Sequence, residues 1–257
     1  MKRAHAAISD ATLFSAAPLA QLHPALSEYL ASAAPQTARL VKIPTDKKYS
    51  VTAYEYSKGG RTIRVGGLRK MLEDAYYKHY KDNRSKRKFK TVNVKGSTNV
   101  QGKVVDRQLA AACTPEGRAK VKHPMAVHVM QHLNLIGHTV QAGQVPVELV
   151  GGSCKMTQAD LITRDKNGKL WCIEIKSGMP VGFFHKQGTM TGRLAKHAVD
   201  CTKLNIWHLQ LAYTRASLVA AGVPVEDSMI LQVYEDKKEG LVLKPHHPPD
   251  WVKLLFP

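Results

Sequence analysis

The stretch Gln158-Ala-Asp-Leu-Ile-Thr-Arg-Asp-Lys-Asn-Gly-Lys-Leu-Trp-Cys-Ile-Glu-Ile-Lys-Ser-Gly178 reads as a β-hairpin. Asp165-Lys-Asn-Gly168 is the turn signal, because Asn167-Gly168 supplies the positive φ that tight hairpin turns need. Before it, Ala159 to Thr163 is short and β-prone; after it, Leu170 to Lys176 is rich in strand formers. Side chains alternate faces along a strand. Glu174 and Lys176 therefore share one face, and Trp171, Ile173 and Ile175 take the other. Asp160 lies on the paired strand and points toward Glu174 if the register brings them level. These three charges sit among apolar residues, where a charge is costly unless it is paired or metal-bound.

Two carboxylates and a lysine at this spacing can hold a divalent ion and activate a water. The carbonyl of Ile175, between the two charges of its strand, is a further candidate ligand. Hard cations such as magnesium or manganese take carboxylate, carbonyl and water oxygens of this kind. The expected chemistry is metal-dependent hydrolysis of a phosphodiester, with Asp160, Glu174 and Ile175 on the metal and Lys176 on the water.

Asp160 followed by Glu174-Ile-Lys176 on the next strand resembles the PD-(D/E)XK nuclease superfamily, over roughly residues 100 to 215. Ala159 stands where the family name has proline. The resemblance implies a restriction-endonuclease-like core: an α/β (α+β) fold with a central mixed sheet flanked by helices. It also implies magnesium or manganese as cofactor, and DNA, or RNA, as substrate. Two features are similar to the RecB-type and lambda-exonuclease-like branch, whose members often carry a glutamine and then a tyrosine on the helix after the catalytic lysine. Trp207-His-Leu-Gln-Leu-Ala-Tyr213 offers Gln210 and Tyr213 on one helix face, Gln210 near the chemistry and Tyr213 toward nucleic acid. Gly96 to Asp106 resembles the branch's small-residue helix start, with Asp106 as an acid at the metal. Glu148, on a strand just upstream of the hairpin, is another candidate metal ligand.

The chain has 257 residues and a net charge of +18, far beyond what solubility needs, which points to a polyanionic partner. The charge is uneven: between Lys42 and Lys122 there are about twenty Lys and Arg against seven acids. Arg84, Lys86, Arg87, Lys88 and Lys90 form a run suited to phosphate contact or nuclear localisation. With no stretch of eighteen apolar residues, no membrane span or membrane partner is expected. Cys113, Cys154, Cys172 and Cys201 form no CxxC pair, which argues against zinc and for a reducing compartment. An intracellular protein is expected, in the nucleus or another DNA-containing compartment, or in the cytoplasm of a prokaryote or phage-infected cell.

Three segments follow. Residues 1–40 are rich in Ala, Ser and Pro and read as helix, broken at Pro18 and Pro24. Residues 41–95 form a basic N-terminal extension for nucleic acid, with strands near Tyr49–Tyr56 and Arg61–Val65 and a helix over Leu68–Tyr80. Residues 96–257 form the nuclease-like domain. Its helices run from about Val100 to Ala112, from a Thr114 cap to about Leu135, and from Leu204 to Ala220. Strands are expected at Thr139–Val150, Ser228–Tyr234 and Gly240–Leu243, with a loop over Gly178–Gly192. His128 and His132 share a helix face but lack a third ligand nearby in sequence. The leading expectation is a deoxyribonuclease, an exonuclease of repair, recombination or viral genome processing. An RNA endonuclease, a junction resolvase, a non-catalytic binder of the same fold and a basic nucleoprotein component stand beside it.

Overall fold

The computed structural model describes residues 22–32, 38–44, 50–58, 60–77, 98–150, 155–177, 186, 188–236 and 238–255. The basic run from Arg84 to Lys90 lies outside these residues, as do Cys154 and most of the Gly178–Gly192 loop. In chain order the elements are α1 (Pro24–Ala31), β1 (Arg39–Pro44), β2 (Ser50–Lys58), β3 (Arg61–Gly67), α2 (Leu68–Tyr76), α3 (Thr98–Ala111), α4 (Pro115–Ala119) and α5 (Pro124–Leu135). Then come β4 (Thr139–Glu148), β5 (Lys155–Arg164), β6 (Leu170–Ser177), a 3-10 helix (Gly192–His197), α6 (Lys203–Ala220), β7 (Val225–Asp236), β8 (Gly240–His246) and α7 (Asp250–Leu255).

The strands make one eight-stranded sheet in the order β1-β2-β3-β5-β6-β7-β8, with β4 paired on β5. It is mixed: β3–β5 and β6–β7 are parallel and the other pairs antiparallel. Helices cover both faces, the α/β arrangement expected. On one face Val105 and Leu109 of α3 and Val129 and Leu133 of α5 pack on Leu161, Ile173, Ile175 and Leu231. On the other, Leu26 of α1 and Leu211 and Leu218 of α6 pack on Ile162, Cys172 and Ile230. The split of Ile173 and Ile175 from Cys172 is the strand alternation of β6 read out as burial. A third cluster, built from Leu68 and Leu72 of α2, Leu194 of the 3-10 helix and Leu209 of α6, holds α2 at the side of the sheet.

Several elements differ from the sequence expectation. Pro24 opens α1 as its first residue, where a proline forfeits no intrahelical bond, so the chain is not helical just before it; Pro18 lies outside the described residues. The long helix after Thr114 is two helices. Thr114 caps α4 by accepting from the Gly117 N–H, and Pro124 then starts α5 with His123 as its cap. Strand β1 and the 3-10 helix were not expected at all. β7 is longer than Ser228–Tyr234, because its ladder with β6 recruits Val225 and Asp227 despite their polar surroundings. In the hairpin turn only Gly168 takes a positive φ, of 86°. Asn167 is instead held through its N–H, which donates to the Asp165 carboxylate at 2.8 Å.

The strands of the basic extension join the same sheet as the hairpin. β3 pairs with β5 through Gly66–Lys155 and Gly67–Met156, and Tyr56, Val65 and Met156 bury a small apolar patch beneath the join.

Candidate active site

The β5–β6 ladder runs from Arg164–Leu170 to Leu161–Ile173 and stops there. Beyond it β6 stays paired with β7 out to Ser177, while the start of β5 turns to β3. The two strands thus fork, and Asp160 stands at the fork opposite Glu174. The Asp160 carboxylate bridges the gap: its Oδ2 accepts the Ile175 N–H at 2.9 Å. Its Oδ1 accepts from the Gln144 amide of β4 at 3.3 Å. Within a strand, the N–H and C=O of one residue face the same edge. The Ile175 carbonyl therefore opens toward the same gap as Asp160.

Glu174 and Lys176 project on the α6 side of β6, where they form an ion pair. Their side chains keep only 15% and 22% of their exposure, so this is not a solvated sheet face. Burial alone would lower the Lys176 ammonium, but Glu174, Asp160 and Asp106 together raise it, and it stays charged. Its Nζ lies 5.2 Å from the centre of the Trp207 ring on α6, a cation–π contact. Lys203 Nζ is 5.1 Å from the same ring.

Asp106 reaches this cluster from α3. Two glycines let that helix come close. A Cβ on Gly143 of β4 would fall 2.3 Å from Ala110 Cα, and one on Gly102 would fall 3.0 Å from Ser177 Oγ. Asp106 sits between those two contacts. Burial raises its pKa to about 6; Lys176 opposes that rise and Glu174 adds to it. Burial also pushes Asp160 well above the usual carboxylate range, with Glu174 adding and Lys176 opposing. Among the described residues these three carboxylates share a single buried ammonium. Such a pocket is short of positive charge.

The oxygens at the fork are all hard: the carboxylates of Asp160 and Glu174 and the Ile175 carbonyl, with Asp106 within electrostatic range of them. Among the described residues no three His, Cys, Asp or Glu are grouped as a ready-made metal cage. Magnesium does not need one, because it commonly binds one or two carboxylates and completes its shell with water and substrate phosphate. Asp160 and Glu174 offer carboxylate oxygens of the type such an ion takes.

The remaining candidates fall in different places. Gln210 is half-buried on α6, one turn beyond Trp207 on the same side of the helix. Tyr213 is one turn further, and its hydroxyl is 2.8 Å from that of Tyr76 on α2, within the third apolar cluster. Glu148 pairs in register with Met156, four residues along β5 from Asp160, or about 13 Å at strand rise. Its electrostatic neighbour is Tyr29 of α1, so the structure does not bring it to the fork. His128 and His132 lie within electrostatic reach of each other on α5.

The structure adds residues that sequence reading missed. Gln144 and Trp207 touch Asp160 and Lys176 directly. Tyr54 of β2 is pushed up to about 12, first by burial and then by the charges of Asp160 and Glu174. None carried a local signal, since each is brought in by a sheet partner or helix distant in sequence. Compared with known proteins, the chain matches no family model, no curated protein and no solved structure at a significant level. No helix among the described residues is long and apolar enough to cross a membrane.

Proposed function

We propose that the chain is a metal-dependent deoxyribonuclease with a restriction-endonuclease-like core of the PD-(D/E)XK type. One observation carries this reading: Asp160, Glu174 and Lys176 converge at a fork in the sheet, largely shielded from water. Asp160, Glu174 and the Ile175 carbonyl would hold a magnesium or manganese ion, with Asp106 beside them. Such an ion, when bound, polarises a phosphate and lowers the pKa of water.

The chain's own residues do the rest. Asp160 is fixed in orientation by the Ile175 N–H, so its carboxylate meets a cation without reorganising. Glu174, Asp160 and Asp106 raise the Lys176 ammonium, which suits it to act as a donor and a positive charge. It can orient the attacking water or steady charge growing on the phosphate. Glu174 and Trp207 hold that ammonium in place. Gln210, one turn along α6 from Trp207, is suited to a second polar contact with water or phosphate. The net charge of +18 supplies the attraction that brings a nucleic acid to the site.

Asp160→Ala, Glu174→Ala and Lys176→Ala should each lower magnesium-dependent cleavage of labelled DNA by about a hundredfold or more. DNA binding, measured by gel shift, should stay close to that of the unaltered chain. Three variants that all cleave at the original rate would overturn the proposal.

A further inference from the structure

Gln144 combines two properties that rarely meet. It lies inside β4 yet has a left-handed backbone, with φ of 53°. A side chain in that region is uncommon, and such outliers gather at functional sites. The ladder shows what the twist does. Gly143 pairs with Leu161 and Val145 with Ala159, leaving Gln144 and Asp160 opposite each other between those pairs. The Gln144 carbonyl accepts from the Gln158 amide at 2.9 Å, and the Gln144 amide donates to Asp160 Oδ1 at 3.3 Å. Asp160 Oδ2 is held from the other flank by the Ile175 N–H at 2.9 Å.

We infer that Gln144 is a positioning residue that, together with the Ile175 N–H, fixes the plane of the Asp160 carboxylate and leaves one lone pair on each oxygen facing the fork for a divalent cation. The inference rests on the proposed reading of that site. Glycine takes a left-handed conformation without strain, so a position that served the backbone alone would suit glycine better. The glutamine here holds the same twist and adds an amide, and that amide reaches Asp160. A metal ligand's hydrogen-bond partners commonly matter for affinity by about 10- to 100-fold.

Gln144→Gly separates the two roles, since it keeps the backbone and removes the amide. Gln144→Asn tolerates the same φ but shortens the reach. The measurements are manganese binding by calorimetry on the DNA-free protein, the melting temperature, and kcat and KM on linear DNA. Both variants should bind manganese about 10- to 100-fold more weakly and lose kcat with KM for DNA unchanged. Gln144→Gly should melt at or above the temperature of the unaltered chain. Variants that keep both manganese affinity and kcat would overturn the inference while leaving the nuclease reading intact, provided Asp160→Ala abolishes binding. An unaltered chain that takes up no manganese would overturn the inference, and one that also leaves linear DNA uncut in manganese would overturn both.

Discussion

Asp106 illustrates at the residue scale how a site of this kind trades stability for function. Its pKa is raised, from the ordinary 3.8 to about 6, first because the helix face it occupies is partly buried. A carboxyl with a raised folded-state pKa favours the fold most at low pH, and that support is lost as pH rises through 6. Asp106→Asn should therefore stabilise the metal-free protein above pH 6, by about 1–2 kcal/mol after allowance for its partial exposure. The gain should fade between pH 6 and pH 4. Urea unfolding in chelator at pH 8 and pH 4 measures it, and an equal effect at both would contradict the assignment. Legibility at this scale followed chain distance. Glu174 and Lys176 could be placed on one face from alternation alone, and Asp160 needed only a hairpin register. Gln144 and Trp207 could not be found that way. Their contacts with Asp160 and Lys176 span 16 and 31 positions and depend on which strand and helix come alongside.

At the scale of elements, α3 and β4 form the tightest joint of the site. The helix backbone at Ala110 rests where the Gly143 side chain would be. A methyl there meets backbone on α3, which cannot rotate away as a side chain tip can. Gly143→Ala should cost about 1–3 kcal/mol, read as a fall in the denaturation midpoint. It should also reduce cleavage by moving α3 and with it Asp106. A variant of unchanged stability would mean that the helix is held elsewhere. The element boundaries that the sequence misjudged share a cause. Pro124 breaks what reads as one apolar helix period, and the polar start of β7 is strand only because β6 lies beside it. Local propensity is overruled there by a partner remote in sequence.

For the whole molecule, the sheet ties the strands of residues 41–95 to the hairpin of the proposed active site. The join is small, two parallel residue pairs over a patch of Tyr56, Val65 and Met156. It nevertheless brings Tyr54 within electrostatic reach of Asp160 and Glu174. The basic composition of residues 41–95 says nothing of this contact, because parallel pairing across about ninety residues leaves no local trace. The net charge of +18 and the forked hairpin meet in the proposed function: attraction for a polyanion, and a carboxylate–lysine cluster proposed to cut it. The most direct test is incubation of the full chain with end-labelled linear DNA and closed circular DNA, in magnesium and in chelator. The account predicts loss of the linear DNA in magnesium and none in chelator, with the circle surviving if the enzyme works from ends. DNA that is bound yet remains intact in both magnesium and manganese would contradict it.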